Sequence, residues 1–162
     1  MSNREKGAWV ELIALIAIWG FYFASLIGSA SAIEAEGFAP VMGPRFAICA
    51  VLSILAGSAS GLLVDLLSRG RRSAARDERE AWAGLRATRI AHGTLIVLTF
   101  CIATLALLLG AFAGETIAGQ ANAALSGVLG NGLVLFANVA LAILVLAELV
   151  HYAALIVFLR RG

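Results

Sequence analysis

Read from its first residue, the chain repeats one pattern four times: a long apolar run, then a shorter polar or glycine-rich segment. The apolar runs fall at about residues 9–32, 45–67, 90–113 and 133–159. Each is long enough for the roughly 20 residues that an α-helix needs to cross a hydrocarbon core. The pattern predicts an all-α integral membrane protein, a four-helix bundle forming a single transmembrane domain. The longest polar stretch, SRGRRSAARDEREAWAGLRATR at residues 68–89, divides the runs into two pairs.

Composition strengthens this reading. The chain is 61% hydrophobic and 14% charged with mean hydropathy +0.95, against about 45–50% apolar and 25% charged in a soluble domain. The charge distribution then orients the helices. Segment 68–89 holds seven Arg against three acids, and eleven of the twelve Lys and Arg lie in the head, this segment or the tail. Basic residues are retained on the cytoplasmic side during insertion. The expected topology is therefore N-in and C-in, with 68–89 a cytoplasmic loop and two external segments. The basic head, apolar run and Ala30-Ser31-Ala32 imitate a secretory signal. The run is longer than the roughly 7–15 residues of a signal core and contains Glu11, Trp19 and Tyr22, so a retained helix is expected.

Local signals refine the elements. Residues 33–43, with Glu34 and Glu36, suit an external loop, and Pro44 suits a first helical position, where its missing N–H costs nothing. Arg45, the one basic residue outside, is expected to pair with Glu34 or Glu36 near the interface. Asp77 and Glu80 have capping-box spacing, so the third helix should begin near Asp77, with Trp82 at headgroup level. The path of the Gly/Ala-rich segment 114–132 is not legible.

Helices in lipid associate through close-packed small residues and a few hydrogen bonds. Gly20, Ala24, Gly28 and Ala32 form one such seam, and Cys49, Ser53, Gly57 and Gly61 another. They suit packing within the chain and homo-oligomer formation alike. Cys49 and Cys101 lie inside apolar spans and lack metal or disulfide spacing, so they read as packing residues. At 100° per residue, Glu11, Tyr22, Ser25 and Ser29 share one face of the first helix, nearly opposite Gly20. Asn131, Asn138, Glu148 and Tyr152 share an arc of the fourth. Polar residues at depth face the bundle interior or a water-filled cavity, so the two stripes should face each other or a shared crevice.

The candidate intramembrane polar site is thus Glu148, His151, Asn138, Glu11 and Tyr22. Counting back from Arg160 puts Glu148 roughly 18 Å from the end of its helix, near mid-bilayer, and an ionisable residue there is a functional candidate by default. Three readings stay open: a structural carboxyl tying helices together, a proton or ion relay with His151, or a metal ligand. Glu148-x-x-His151 has the spacing of carboxylate-bridged bundles, but those need a second copy and two further Glu. No nucleophile elbow, P-loop, dinucleotide fingerprint or HExxH is present, so no catalytic residue, cofactor or metal is expected. Anionic lipid headgroups, rather than nucleic acid, explain the Arg-rich loop.

Arg76-Asp77-Glu78-Arg79-Glu80, followed by Leu85-Arg86-Ala87-Thr88-Arg89-Ile90-Ala91 leading into a membrane helix, resembles a known pattern, as does the end of the chain from Ala147-Glu148-Leu149-Val150-His151-Tyr152 to Arg160-Arg161-Gly162. It is similar to small four-helix bacterial inner-membrane proteins, classed as domains of unknown function, that carry an Asp-Glu-Arg-Asp/Glu signature in the central cytoplasmic loop and a basic tail. The resemblance makes Asp77, Glu78, Arg79 and Glu80 the loop signature. It implies no activity. Such proteins are often encoded beside a small helix-turn-helix regulator, which implies a cytoplasmic regulatory partner. The expected function is that of an accessory or regulatory membrane protein, with a small proton- or ion-coupled transporter as the alternative.

Overall fold

The computed structural model describes residues 3–68, 78–112 and 132–161. These form five helices, α1 Asn3–Gly28, α2 Ala30–Glu36, α3 Phe38–Ser68, α4 Glu78–Phe112 and α5 Gly132–Arg161, with no strand among the described residues. Apart from short α2, each is long and apolar enough to cross a membrane, over Arg4–Gly28, Phe38–Ala59, Glu80–Thr104 and Val134–Arg161. Only 6–22% of each apolar window is buried inside the protein. The large side chains turn outward instead: Ile27 is 79% exposed, Phe136 71% and Phe100 70%. Such a surface is unfavourable in water at about 25 cal/mol per Å² and suited to lipid. The chain is a multi-pass membrane protein.

The first apolar run is not one helix. It stops at Gly28, turns at Ser29 and resumes as α2, so most of the expected external loop is helical. Backbone N–H groups of Ile33 and Gly37 bond to the carbonyls of Ser29 and Ile33, each at 2.9 Å. Gly37 then reverses the chain at φ 89°, ψ 163°, a region essentially reserved for glycine. Buried Ile33 holds α2 down against Trp19, Tyr22, Met42 and Cys49.

The helix after this turn does not begin at Pro44. It begins at Phe38, with Pro40 in its first turn, where donors are unpaired anyway. Pro44 lies inside, where it cannot donate to the carbonyl of Pro40. Membrane helices tolerate that loss because neighbouring groups re-satisfy the freed carbonyl. Arg45 also departs from expectation. Its guanidinium donates to the Ser29 hydroxyl across the turn and touches the Met42 sulfur at 3.6 Å, rather than pairing with Glu34 or Glu36.

The long helices pack in the order α3–α1–α5–α4, with α1 and α5 central and α3 and α4 flanking. One core cluster, Trp19, Tyr22, Ile33, Met42, Cys49 and Val145, joins α1, α2, α3 and α5 near the Gly37 turn. The other, Ala8, Ala83, Ala87, Leu155 and Ile156, joins α1, α4 and α5 at the opposite end. There α1 and α4 start and α5 finishes, so the first and last described helices meet at the same end of the molecule. Small residues do make a seam, but it is Ala8, Ala83 and Ala87. Gly20, Ala24 and Gly28 face outward, and a Cβ built on Gly20 or Gly28 would meet nothing within 4 Å. Of the second seam, Cys49 is buried and Gly57 exposed.

Candidate functional site

The five residues of the candidate polar site fall into two places. Near the Gly37 turn, the Tyr22 hydroxyl donates to Asn138 Oδ1 at 2.8 Å, linking α1 to α5. Asn138 in turn donates from Nδ2 to the Val134 carbonyl at 2.8 Å. Trp19, Phe23 and Phe46 surround the Tyr22 ring with centroids 5.3–6.0 Å away. Tyr22 is 2% exposed and Asn138 8%. Both are satisfied and shut off from any space a ligand would enter. They tie two helices together, and the expectation that the two stripes face each other holds here.

The other group sits towards the terminal end. Glu11 on α1 and Glu148 on α5 lie within electrostatic reach of Tyr152. Glu148 does not point into the bundle. It is exposed and lines a cleft of about 360 Å³ between α4 and α5, with Thr88, His92, His151 and Tyr152 around it. Glu148 makes no hydrogen bond or ion pair to a described residue, so the carboxyl is not the interhelical tie; Tyr22–Asn138 is. Glu148 lies across the cleft from His92, one turn of α4 beyond exposed Arg89.

A third cluster escaped the sequence reading. Arg4 Nη1 donates to the Glu80 carbonyl at 2.7 Å, tying α1 to α4. Arg160 Nε donates to buried Glu5 at 2.8 Å, tying α5 to α1, and lies 5.6 Å above the Trp9 ring. Gly84 makes room for Arg4, because a Cβ there would come 2.6 Å from its guanidinium. The signal in the sequence was a charged head and a basic tail, read only as topology determinants. Of the loop signature, Asp77 lies outside the described residues, as do the side chains of Glu78 and Arg79, and Glu80 takes part through its backbone carbonyl.

Among the described residues no group of three or more His, Cys, Asp or Glu is placed to hold a metal ion. What the α4/α5 cleft can do is accept and donate protons or hydrogen bonds beside lipid. No protein-family model, curated protein or solved structure matches the chain.

Proposed function

We propose that this is an accessory or regulatory protein of a bacterial inner membrane, without enzymatic activity, which presents its Arg-rich segment to a partner protein or to lipid headgroups. The observation that carries this reading is the terminal-end cluster. Arg4, Glu5 and Arg160 bind the start of α1, the start of α4 and the end of α5 together, so the basic head, the exit of the Arg-rich segment and the basic tail share one end. By the positive-inside rule that end is cytoplasmic, giving N-in and C-in. The resemblance to four-helix proteins with a DERE-type loop supports a regulatory partner there. Reporter fusions after Ser73 and Gly162 should be cytoplasmic, and fusions after Ala39 and Gln120 external. An external Ser73 fusion would sink the topology. Asp77 and Glu78 changed together to Lys should cost the protein its partner in pull-downs from native membrane, and unchanged capture removes the regulatory reading.

The open α4/α5 cleft favours a second reading, proton or ion coupling through Glu148 with His92 and His151. Its test is flux in proteoliposomes: flux in the parent that vanishes in Glu148→Gln would put this reading first.

A further inference from the structure

Three cavities lie end to end along the α4/α5 interface. The first, about 440 Å³, opens at the terminal end between Arg4, Gly84, Leu85, Thr88 and His151. The second shares Thr88 and His151 with it and contains His92, Glu148 and Tyr152. The third, about 320 Å³, shares Leu95 and Leu144 with the second and continues along Ile102, Ala103, Phe136 and Ile143. Together they make one groove whose chemistry changes in a fixed order: cationic, then polar, then apolar.

We propose that this groove is a binding site for one anionic phospholipid of the cytoplasmic leaflet. The order of groups matches the order of parts in such a lipid. At the mouth, the Arg4 guanidinium, the Thr88 hydroxyl and the His151 imidazole suit a phosphate, for which charge-assisted donors are the strong ligands. Arg4 is held in place by its bond to the Glu80 carbonyl, so little further ordering is needed. One turn deeper, roughly 6 Å along α4 from Thr88, His92 brings a donor to the level of the ester oxygens, across from Glu148 on α5. Glu148 on that turn sets the depth, because a carboxylate there repels a phosphate from sliding inward. From Thr88 to Ala103 the groove runs roughly 22 Å at 1.5 Å per residue. That exceeds the ~15 Å of one leaflet, enough for an acyl chain along Leu95, Leu144 and Phe136. A polar turn exposed at this depth is thereby covered by a ligand with matching acceptors. The choice of leaflet rests on the topology proposed above; the existence of the site does not.

The test uses the full chain reconstituted with equal phosphatidylglycerol and phosphatidylethanolamine, extracted in maltoside and weighed by native mass spectrometry. One phosphatidylglycerol should remain bound, preferred over phosphatidylethanolamine by about tenfold, the factor that 1.4 kcal/mol confers. Thr88→Val should lower that preference. Ala103→Trp, which fills the apolar end and leaves the mouth intact, should lower total retention of either lipid. Arg4→Gln should do most at the mouth; if it fails to fold, the other two variants still decide. Retention in the proportions supplied, or retention indifferent to Ala103→Trp, overturns the proposal. Inorganic phosphate that raises the melting temperature as much as phosphatidylglycerol shows a free-anion site and overturns the lipid assignment. External reporter fusions would reassign the leaflet while leaving this binding result standing.

Discussion

Tyr22 and Glu148 looked alike in the sequence, polar residues in apolar helices, and the structure gives them opposite roles. Tyr22 is buried with its hydroxyl on Asn138; Glu148 is exposed beside a cleft. Tyr22→Phe keeps the ring packing and strands Asn138 Oδ1, so it should destabilise the protein by about 1 kcal/mol, the scale of hydrogen bonds between membrane helices. Detergent unfolding curves of Tyr22→Phe, Asn138→Leu and the double variant check this, and two single effects that simply add would show that the bond contributes nothing. Glu148→Leu should by contrast leave stability within about 0.5 kcal/mol, the usual range for exposed positions, because no described partner is left unpaired. A loss of a full kcal/mol or more in the same assay would restore the structural reading of Glu148. The helical period placed Tyr22 and Asn138 on facing stripes. It does not say how far one helix is shifted along its neighbour, and that shift puts Glu148 opposite His92, one turn from Arg89.

At the scale of elements, the four spans were legible because each needs only a long apolar run, and α4 was expected from near Asp77 and is described from Glu78. The turn between α1 and α3 was not. The apolar run passes through Ser29 without a change in composition, and residues 30–36 carry good helix formers, so nothing marks the break at Gly28. Proline placement misled in a similar way: Pro40 and Pro44 are each acceptable at a first helical turn, and only the Gly37 reversal decides between them. Gly37 is therefore the residue on which the hairpin depends. Its positive φ and the nearest atom to a built Cβ, Pro40 Cδ at 4.0 Å, make the penalty of a side chain one of backbone strain rather than collision. Gly37→Ala should cost about 1–3 kcal/mol, whereas Gly20→Ala, which meets nothing, should be neutral or slightly stabilising through helix propensity. Thermal melts of the two variants in the same detergent separate them, and equal melting temperatures would contradict the strain argument.

For the whole molecule, what had to be found was which ends meet. Counting charges assigned head, Arg-rich segment and tail to one side, and the contacts of Arg4, Glu5 and Arg160 bring together the helix ends that carry them. That the helices pack as α3–α1–α5–α4 was not readable, because low-amphipathicity membrane helices do not advertise which neighbour they will meet. The Glu5–Arg160 pair offers a test at this scale, since it joins residues at opposite ends of the chain. Glu5 is 6% exposed, so Glu5→Arg places an unmatched charge against Arg160, and Arg160→Glu does the same to Glu5. Each single change should destabilise the protein by about 1–3 kcal/mol, the range for a buried hydrogen-bonding group that loses its partner. The double exchange restores an opposite-charge pair and leaves the summed charge of that end unchanged. It should recover most of the loss, though Trp9 then faces a carboxylate in place of the guanidinium now above it. The orientation of the termini, read by the same fusions, should be that of the parent in the double variant. Two losses that add in the double variant would mean that the first and last helices are not held together by this pair, and that the convergence of the termini rests on other contacts, the packing of Ala8, Leu155 and Ile156 among them.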